Sequence, residues 1–249
     1  MRLEGKTALV TGGNAGIGLE IARQLSRQGA RIVVVARNLQ RTDEALAMMQ
    51  GPAEAIQADL SRADEQDRIV VEVERRWPSL AILVNNAGVQ INLPEVGIGA
   101  AGMMDALRSE VDLNLTAPIT LSLGLMPILA RQPEAAIVNI SSGLALAPKR
   151  TAPVYCATKA GLRTFRQALR YRCEDAATSV MVVDAVMAYV DTDMTRGRDG
   201  AKMSAAAAAQ AVINGLLNER KEIWVGKTRL LRILHRLSPA IACRILRNG

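Results

Sequence analysis

A short apolar stretch, residues 6–10, runs straight into Thr11-Gly12-Gly13-Asn14-Ala15-Gly16-Ile17-Gly18. Leu19, Ile21, Ala22 and Leu25 then keep helical spacing until Gly29. A strand that turns through glycines directly into a helix commits the chain to an α/β architecture. The glycines let the backbone come close to a ligand, and the helix that follows presents the positive end of its dipole. A pyrophosphate suits both. Glycines also serve plain turns, so the reading rests on the strand–turn–helix context.

The alternation continues to the end of the chain. Strands are expected at 30–36, 54–57, 80–84, 135–140, 179–183 and 222–225, which with the first makes seven. Helices are expected at 42–50, from 61 to about 77, at 103–130, 155–175 and 204–219. Residues 89–102 and 184–203 read as irregular, the second as a mobile lid at a strand's carboxyl end. No repeat or low-complexity linker divides the chain. One doubly wound α/β domain over residues 1–226 is the simplest organisation, with a basic amphipathic extension, 227–249, expected to pack on it.

The residues that carry chemistry stand at the ends of the expected strands. The apolar run 135–140 ends in Ser141 and Ser142, and Tyr155 and Lys159 follow four residues apart, one turn of a helix. An ammonium beside a phenol favours the phenolate, so Tyr155 is expected to exchange protons nearer neutrality than an ordinary tyrosine. A serine at a strand end can hold a carbonyl or alkoxide oxygen meanwhile. After the second strand, where dinucleotide folds place an acid on the adenosine ribose, this chain has Ala36 and then Arg37, with Arg41 a turn further on. An arginine suits a 2′-phosphate. Asp59 faces an adenine amine or caps the helix from Ser61. Asn85-Asn86-Ala87-Gly88 suits close approach to a cofactor. Asn114, a mediocre helix former inside the expected 103–130 helix, would disturb the backbone ladder there if buried.

Taken together, TGGNAGIG, Asp59, Asn85-Asn86-Ala87-Gly88, Asn114, Ser142 and Tyr155-x-x-x-Lys159 resemble the short-chain dehydrogenase/reductase family in order and approximate spacing. The resemblance runs from about residue 6 to residue 194, and the subgroup it is most similar to is the DltE-type bacterial oxidoreductases. It implies a Rossmann-type domain with a twisted seven-stranded parallel sheet and assembly into homodimers or homotetramers. It also implies NADP(H)-dependent interconversion of a carbonyl and a secondary alcohol, with NAD(H) as the other possible cofactor. Tyr155 is then the general acid/base, and Lys159 lowers its pKa and grips the nicotinamide ribose. Ser142, thirteen positions before the tyrosine, positions the substrate oxygen, and Asn114 holds a water. Gly12, Asn14, Gly16, Ile17 and Gly18 line the phosphates, with Arg37 at the 2′-phosphate. Asp59 and Leu60 flank adenine. Asn86, Ala87, Gly88, Val190 and Thr192 line the rest of the cofactor. Met187-Ala188 stand where the family usually has Pro-Gly, which leaves the backbone before Val190 unconstrained. A sensor or scaffold that binds NADP(H) without turnover is the alternative function.

Composition closes off other classes. Three cysteines and one histidine offer neither a disulfide framework nor a zinc set, and no metal is expected. The chain reaches a strand within a few residues of its start, so no signal peptide is expected and a cytoplasmic location is. The net charge of +7 is concentrated after residue 218, and aromatic residues make up only 2%, which argues against nucleic acid. In the tail, Leu230, Leu231, Ile233, Leu234 and Leu237 share one helical face and Arg229, Arg232 and Arg236 the other. Packing of the leucine face on the domain is the expectation, and contact with an anionic membrane the alternative. The expected partner is a small carbonyl or alcohol.

Overall fold

Strand β1 (Thr7–Thr11) is buried along its whole length and pairs in parallel with β2 (Arg31–Ala36) on one side and β4 (Leu80–Asn85) on the other. The computed structural model, which describes residues 1–248, builds outward from there with β3 (Ala53–Gln57), β5 (Ala135–Ser142), β6 (Val180–Met187) and β7 (Glu222–Trp224). The strand order is β3-β2-β1-β4-β5-β6-β7, every pair parallel. Alternate residues of one strand point to opposite faces, and here both faces are apolar. Ala8, Val10, Ile32, Val34 and Val84 meet one core layer, under α1 (Gly16–Arg27) and α8 (Ala205–Leu217). Leu9, Val33, Val35 and Leu83 meet the other, under α3 (Ala63–Arg76) and α5 (Ala117–Gly124). Two covered faces explain why the strands read as continuous apolar runs.

Three elements differ from their sequence expectation for identifiable reasons. The first is β6, which continues four residues beyond 183: Asp184 breaks the apolar run in sequence, yet it is buried against Arg163 and Arg166 and the strand goes on through Ala185, Val186 and Met187. Helix α2 (Leu39–Leu46) starts three residues early because Asn38 caps it, its side chain accepting from the Arg41 amide at 2.9 Å. The expected 103–130 helix is α4 (Met104–Val111), a π-helical turn (Asp112–Thr116), α5 and α6 (Met126–Ala130) in succession. Asn114 sits in the π turn and Pro127 follows the break at Leu125.

Helix α7 (Pro153–Asp175) crosses behind β5 and β6. Helices α9 (Thr228–Leu237) and α10 (Pro239–Leu246) follow β7. Thr228 Oγ1 donates to the Val186 carbonyl at 3.1 Å, and the Arg150 amide donates to the Arg247 carbonyl at 3.0 Å. The leucine face expected to pack inward is divided. Leu231 reaches Gly143 and Ala242 is buried, whereas Leu230, Ile233, Leu237, Ile241 and Ile245 stand in solvent.

Candidate active site

The strand order reverses between β1 and β4, and the carboxyl ends of these strands frame a crevice of the kind where open α/β sheets bind ligands. The turn from β1 into α1 lies at that point. Gly12 has φ +63°, the left-handed region that glycine adopts without strain, and its missing side chain leaves room for Asn86 and Ala87. Gly18 is tighter: a Cβ there would stand 2.3 Å from the Gly12 carbonyl oxygen, so only glycine lets the first turn of α1 settle on the loop. Ala15 precedes α1 without a side-chain cap, which leaves the first amides of that helix for an incoming acceptor. Ile17 packs against the core beneath, and Asn14 Nδ2 ties the loop to α2 through Thr42 Oγ1 at 3.2 Å.

Thr11, absent from the sequence-based site, locks the crevice floor. Its hydroxyl donates to the Val84 carbonyl at 3.2 Å and accepts from the amides of Asn86 (2.9 Å) and Ala87 (3.0 Å). Asn86 Nδ2 reaches back to the Thr11 carbonyl at 2.9 Å. One hydroxyl therefore fixes both strand ends, and its sequence signal was its place immediately before Gly12-Gly13. Gly88 lies between two catalytic candidates: a Cβ there would be 2.9 Å from Asn114 Oδ1 and 3.7 Å from Lys159 Nζ.

At the far end of the crevice, Arg37 is exposed, its Nη1 4.0 Å from Asp59 Oδ2. Asp59 does not cap the helix, which begins at Ala63 with Arg62 at its uncapped N-terminus; its Oδ1 instead closes a local turn, accepting from the Ser61 amide at 3.0 Å and hydroxyl at 2.8 Å. Partial burial pushes its carboxyl up, but those hydrogen bonds and the charges of Arg37 and Arg62 bring it below the usual range. Leu60 is buried beside it. Arg41 does not join Arg37; its Nη2 pairs with Asp193 Oδ2 at 2.8 Å across a cavity of about 370 Å³ bordered by Asn14, Gly16 and Thr192.

The Pro-Gly departure turns out differently from expectation. Beyond β6, Val190 forms a parallel bridge with Met203, and the Met203 and Asp191 amides bond across it at 2.9 Å each. Thr195 Oγ1 donates to the Val190 carbonyl at 2.7 Å and accepts from the Thr192 amide at 3.1 Å. This second pairing replaces the constraint that proline would impose. Thr192 is thereby held with its methyl 3.2 Å from where a Gly16 side chain would begin.

The catalytic candidates meet at the ends of β5 and α7. Strand alternation puts Ser141 on the face shared with Asp184 and turns Ser142 the other way, where its hydroxyl faces the Tyr155 phenol. Ser142 Oγ also accepts from the Leu144 amide at 3.1 Å, which orients it. Pro153 starts α7, so Tyr155 falls in its first turn and Lys159 one turn further, both almost fully buried. Lys159 Nζ donates to the Ile140 carbonyl at 3.0 Å and lies 5.7 Å from the Tyr155 ring centre. Asn114, fully buried, grips the strand-like turn after Gly88 with both ends of its amide: Oδ1 accepts from the Val89 amide at 2.9 Å and Nδ2 donates to the Val89 carbonyl at 2.8 Å. The π turn gives its side chain this reach.

Electrostatics correct one expectation. Tyr155 is not brought toward neutrality; burial pushes it up to about 12, against the favourable bond to Ser142. Burial also lowers Lys159 to about 8, while Asp184 and Glu110 act to raise it. The lysine spends its hydrogen bond on Ile140, and loss of hydration outweighs its help to the phenol. At neutral pH the pair is a protonated phenol beside a largely charged ammonium. The two carboxylates acting on Lys159 were not singled out from sequence; Glu110 is buried on α4, its Oε1 accepting from the Ile91 amide at 3.1 Å.

The profile of the family described as "short chain dehydrogenase" matches residues 6–202. The uncharacterized oxidoreductase DltE of Bacillus subtilis is 35% identical over 93% of this chain and 92% of its own length. The ketoacyl reductase HetN of Nostoc is 29% identical over 98% of this chain and 89% of its own. Among solved structures, a short-chain dehydrogenase from Sphingobium yanoikuyae in complex with NADPH superposes with a TM-score of 0.80 at 25% identity, covering 93% of each chain.

Proposed function

The chain belongs to the short-chain dehydrogenase/reductase family of NAD(P)-dependent oxidoreductases, and from that premise we propose that it reduces a carbonyl to a secondary alcohol, or runs the reverse, with NADP(H). The crevice suits a dinucleotide: Gly12 and Gly18 let the turn pack closely on itself and on Asn86, Gly88 brings the chain close to Asn114 and Lys159, and the uncapped amides of α1 are left for a diphosphate. Gly12, Asn14, Gly16, Ile17 and Gly18 hold the diphosphate, Asp59 and Leu60 the adenine, and Asn86, Ala87, Gly88, Val190 and Thr192 the nicotinamide half. Arg37, with no acid at the end of β2, takes the 2′-phosphate. The NADPH found with the Sphingobium relative supports the same choice. When bound, the nicotinamide supplies or accepts the hydride.

The protein's part is orientation and proton transfer. Ser142 Oγ holds the substrate oxygen, and Tyr155 Oη delivers its proton to that oxygen. Lys159, charged and one turn away, stabilises the phenolate left behind. Asn114 keeps the Val89 backbone fixed beside Lys159. The single observation that carries this reading is the placement of buried Tyr155 and Lys159 one turn apart on α7, beside the end of β5 where Ser142 stands, with Lys159 Nζ on the Ile140 carbonyl. A small carbonyl or alcohol as substrate and a homodimer or homotetramer in the cytoplasm belong to the same proposal.

The test is loss of NADPH absorbance on mixing the protein with a panel of ketones and aldehydes. At least one carbonyl is expected to be consumed, with NADPH preferred to NADH by roughly tenfold or more, the worth of one charge-assisted contact. Binding of NADPH with no consumption by any carbonyl would leave a nucleotide-binding scaffold instead.

A further inference from the structure

Helices α9 and α10 carry a stripe that nothing in the fold covers. Leu230, Ile233 and Leu237 succeed one another along α9, and Ile241 and Ile245 continue the run along α10. They are 69, 57, 79, 52 and 61% exposed. The same segment holds six cations, Lys227, Arg229, Arg232, Arg236, Arg244 and Arg247, and no Asp or Glu. Arg229 and Arg232 turn back toward Trp224 and Glu222, whereas Arg236, Arg244 and Arg247 make no ion pair among the described residues. Aliphatic side chains rarely stand together in water without a partner, and here they are bordered by charge of one sign.

We propose that α9 and α10 form a docking face for an anionic lipid bilayer, lying in the headgroup plane with the aliphatic stripe immersed and the arginines on lipid phosphates. The charge pattern selects this occupant. A second copy of the chain would meet the face through a two-fold contact, which sets the same patch against itself and brings arginine onto arginine. A nucleic acid would answer the charge, but the segment has no Phe, Tyr or Trp to stack on bases and the aliphatic stripe would stay wet. An anionic bilayer answers both halves at once. No helix among the described residues is long and apolar enough to cross a membrane, so the contact is peripheral. The face is held firmly on the domain by the Thr228–Val186 and Arg150–Arg247 bonds and by Leu231 against Gly143. Docking therefore brings the loop after Ser142 to the lipid surface. The proposal does not depend on the reaction proposed above.

The experiment is sedimentation of the full-length protein with vesicles of phosphatidylcholine alone and of phosphatidylcholine mixed with phosphatidylglycerol, at low and high salt. Two double variants accompany it, Ile233→Ser with Leu237→Ser and Arg236→Gln with Arg244→Gln, all at exposed positions, each checked by thermal melting and size exclusion. The protein is expected to sediment with the anionic vesicles only and to be released by salt. Each double variant should lower the bound fraction by roughly tenfold or more while melting like the wild type. Absence of binding to anionic vesicles, equal binding to neutral ones, or unchanged binding of both variants would overturn the proposal. So would retention by duplex DNA in place of vesicles, or a serine variant that shrinks the oligomer and still binds lipid as before.

Discussion

The glycine turn and the tyrosine–lysine pair lie within one crevice, yet they are built on opposite principles. The turn works through what is missing: Gly12 and Gly18 remove side chains so that backbone can approach backbone, and the polar groups that remain are stitched by Thr11 and Asn86. It holds the fold together, and on the reading proposed above the same turn serves the cofactor. The pair works through what is buried at a cost. Tyr155 and Lys159 are both moved by dehydration toward their neutral forms; Ser142 and Arg198 oppose it at the phenol, and Asp184 and Glu110 at the ammonium. Local structure and function agree in the first region and conflict in the second, which is where conflict is expected in a working site.

The comparison breaks most visibly at Lys159. Lys159→Met keeps the volume of the chain but removes the charge that stabilises the phenolate, and turnover is expected to fall by ~10²–10⁴, the range of a positioned acid/base group. Rate measurements at saturating NADPH check this; a variant as fast as the wild type would mean that the ammonium does nothing for the proton. The same residue should leave a mark on stability. Lys159 titrates at about 8 in the folded chain against 10.5 for an ordinary lysine. Between those values the unfolded chain binds more protons, so wild-type stability rises with pH. The gain relative to Lys159→Met is expected to reach at most about 3 kcal/mol by the top of that window. Denaturant titrations across the range, run on both proteins, read it; parallel pH profiles would show that burial costs the lysine little.

The turn should respond differently. Gly18→Ala places a Cβ on the Gly12 carbonyl, and because that neighbour is backbone, the loop has to shift. Both melting temperature and NADPH affinity are expected to drop together, by ~1–3 kcal/mol each. Calorimetry with a nucleotide titration separates them; loss of one without the other would undo the claim that fold and function coincide here. The smallest effect is at the crevice edge. Arg37→Gln removes an exposed cation and is expected to weaken NADPH by roughly tenfold while leaving NADH unchanged. Equal weakening of the two would remove the 2′-phosphate assignment.

These differences also explain what the sequence made legible. Strands buried on both faces leave continuous apolar runs, and glycine spacing reports backbone contacts directly, so the sheet and the turn could be read from the letters. Long-range electrostatics could not. The bond from Lys159 to Ile140, the influence of Glu110 and Asp184 on that lysine, and the high pKa of Tyr155 arise from residues far apart in the chain and from dehydration. Asp184 concealed the second half of β6 for the same reason, its partners Arg163 and Arg166 lying on another element. The π turn at Asn114 was foreshadowed by an asparagine inside an apolar helix, but its contact, gripping Val89, appears only once the loop after β4 meets that turn. In the tail, amphipathic spacing gave the two faces and could not say which one met the domain. Helix α3 is its counterpart: Ile69 and Val73 are buried and its charges are matched within Glu65–Arg68–Glu72–Arg76.

The phenol of Tyr155 as proton donor to a carbonyl beside the cofactor is the centre of the account. Tyr155→Phe keeps the ring and removes the hydroxyl alone, so it isolates that proton. NADPH binding followed by fluorescence is expected to be unchanged, while carbonyl-dependent loss of NADPH absorbance falls by ~10²–10⁴. A Phe variant that turns over its carbonyl as fast as the wild type would contradict it.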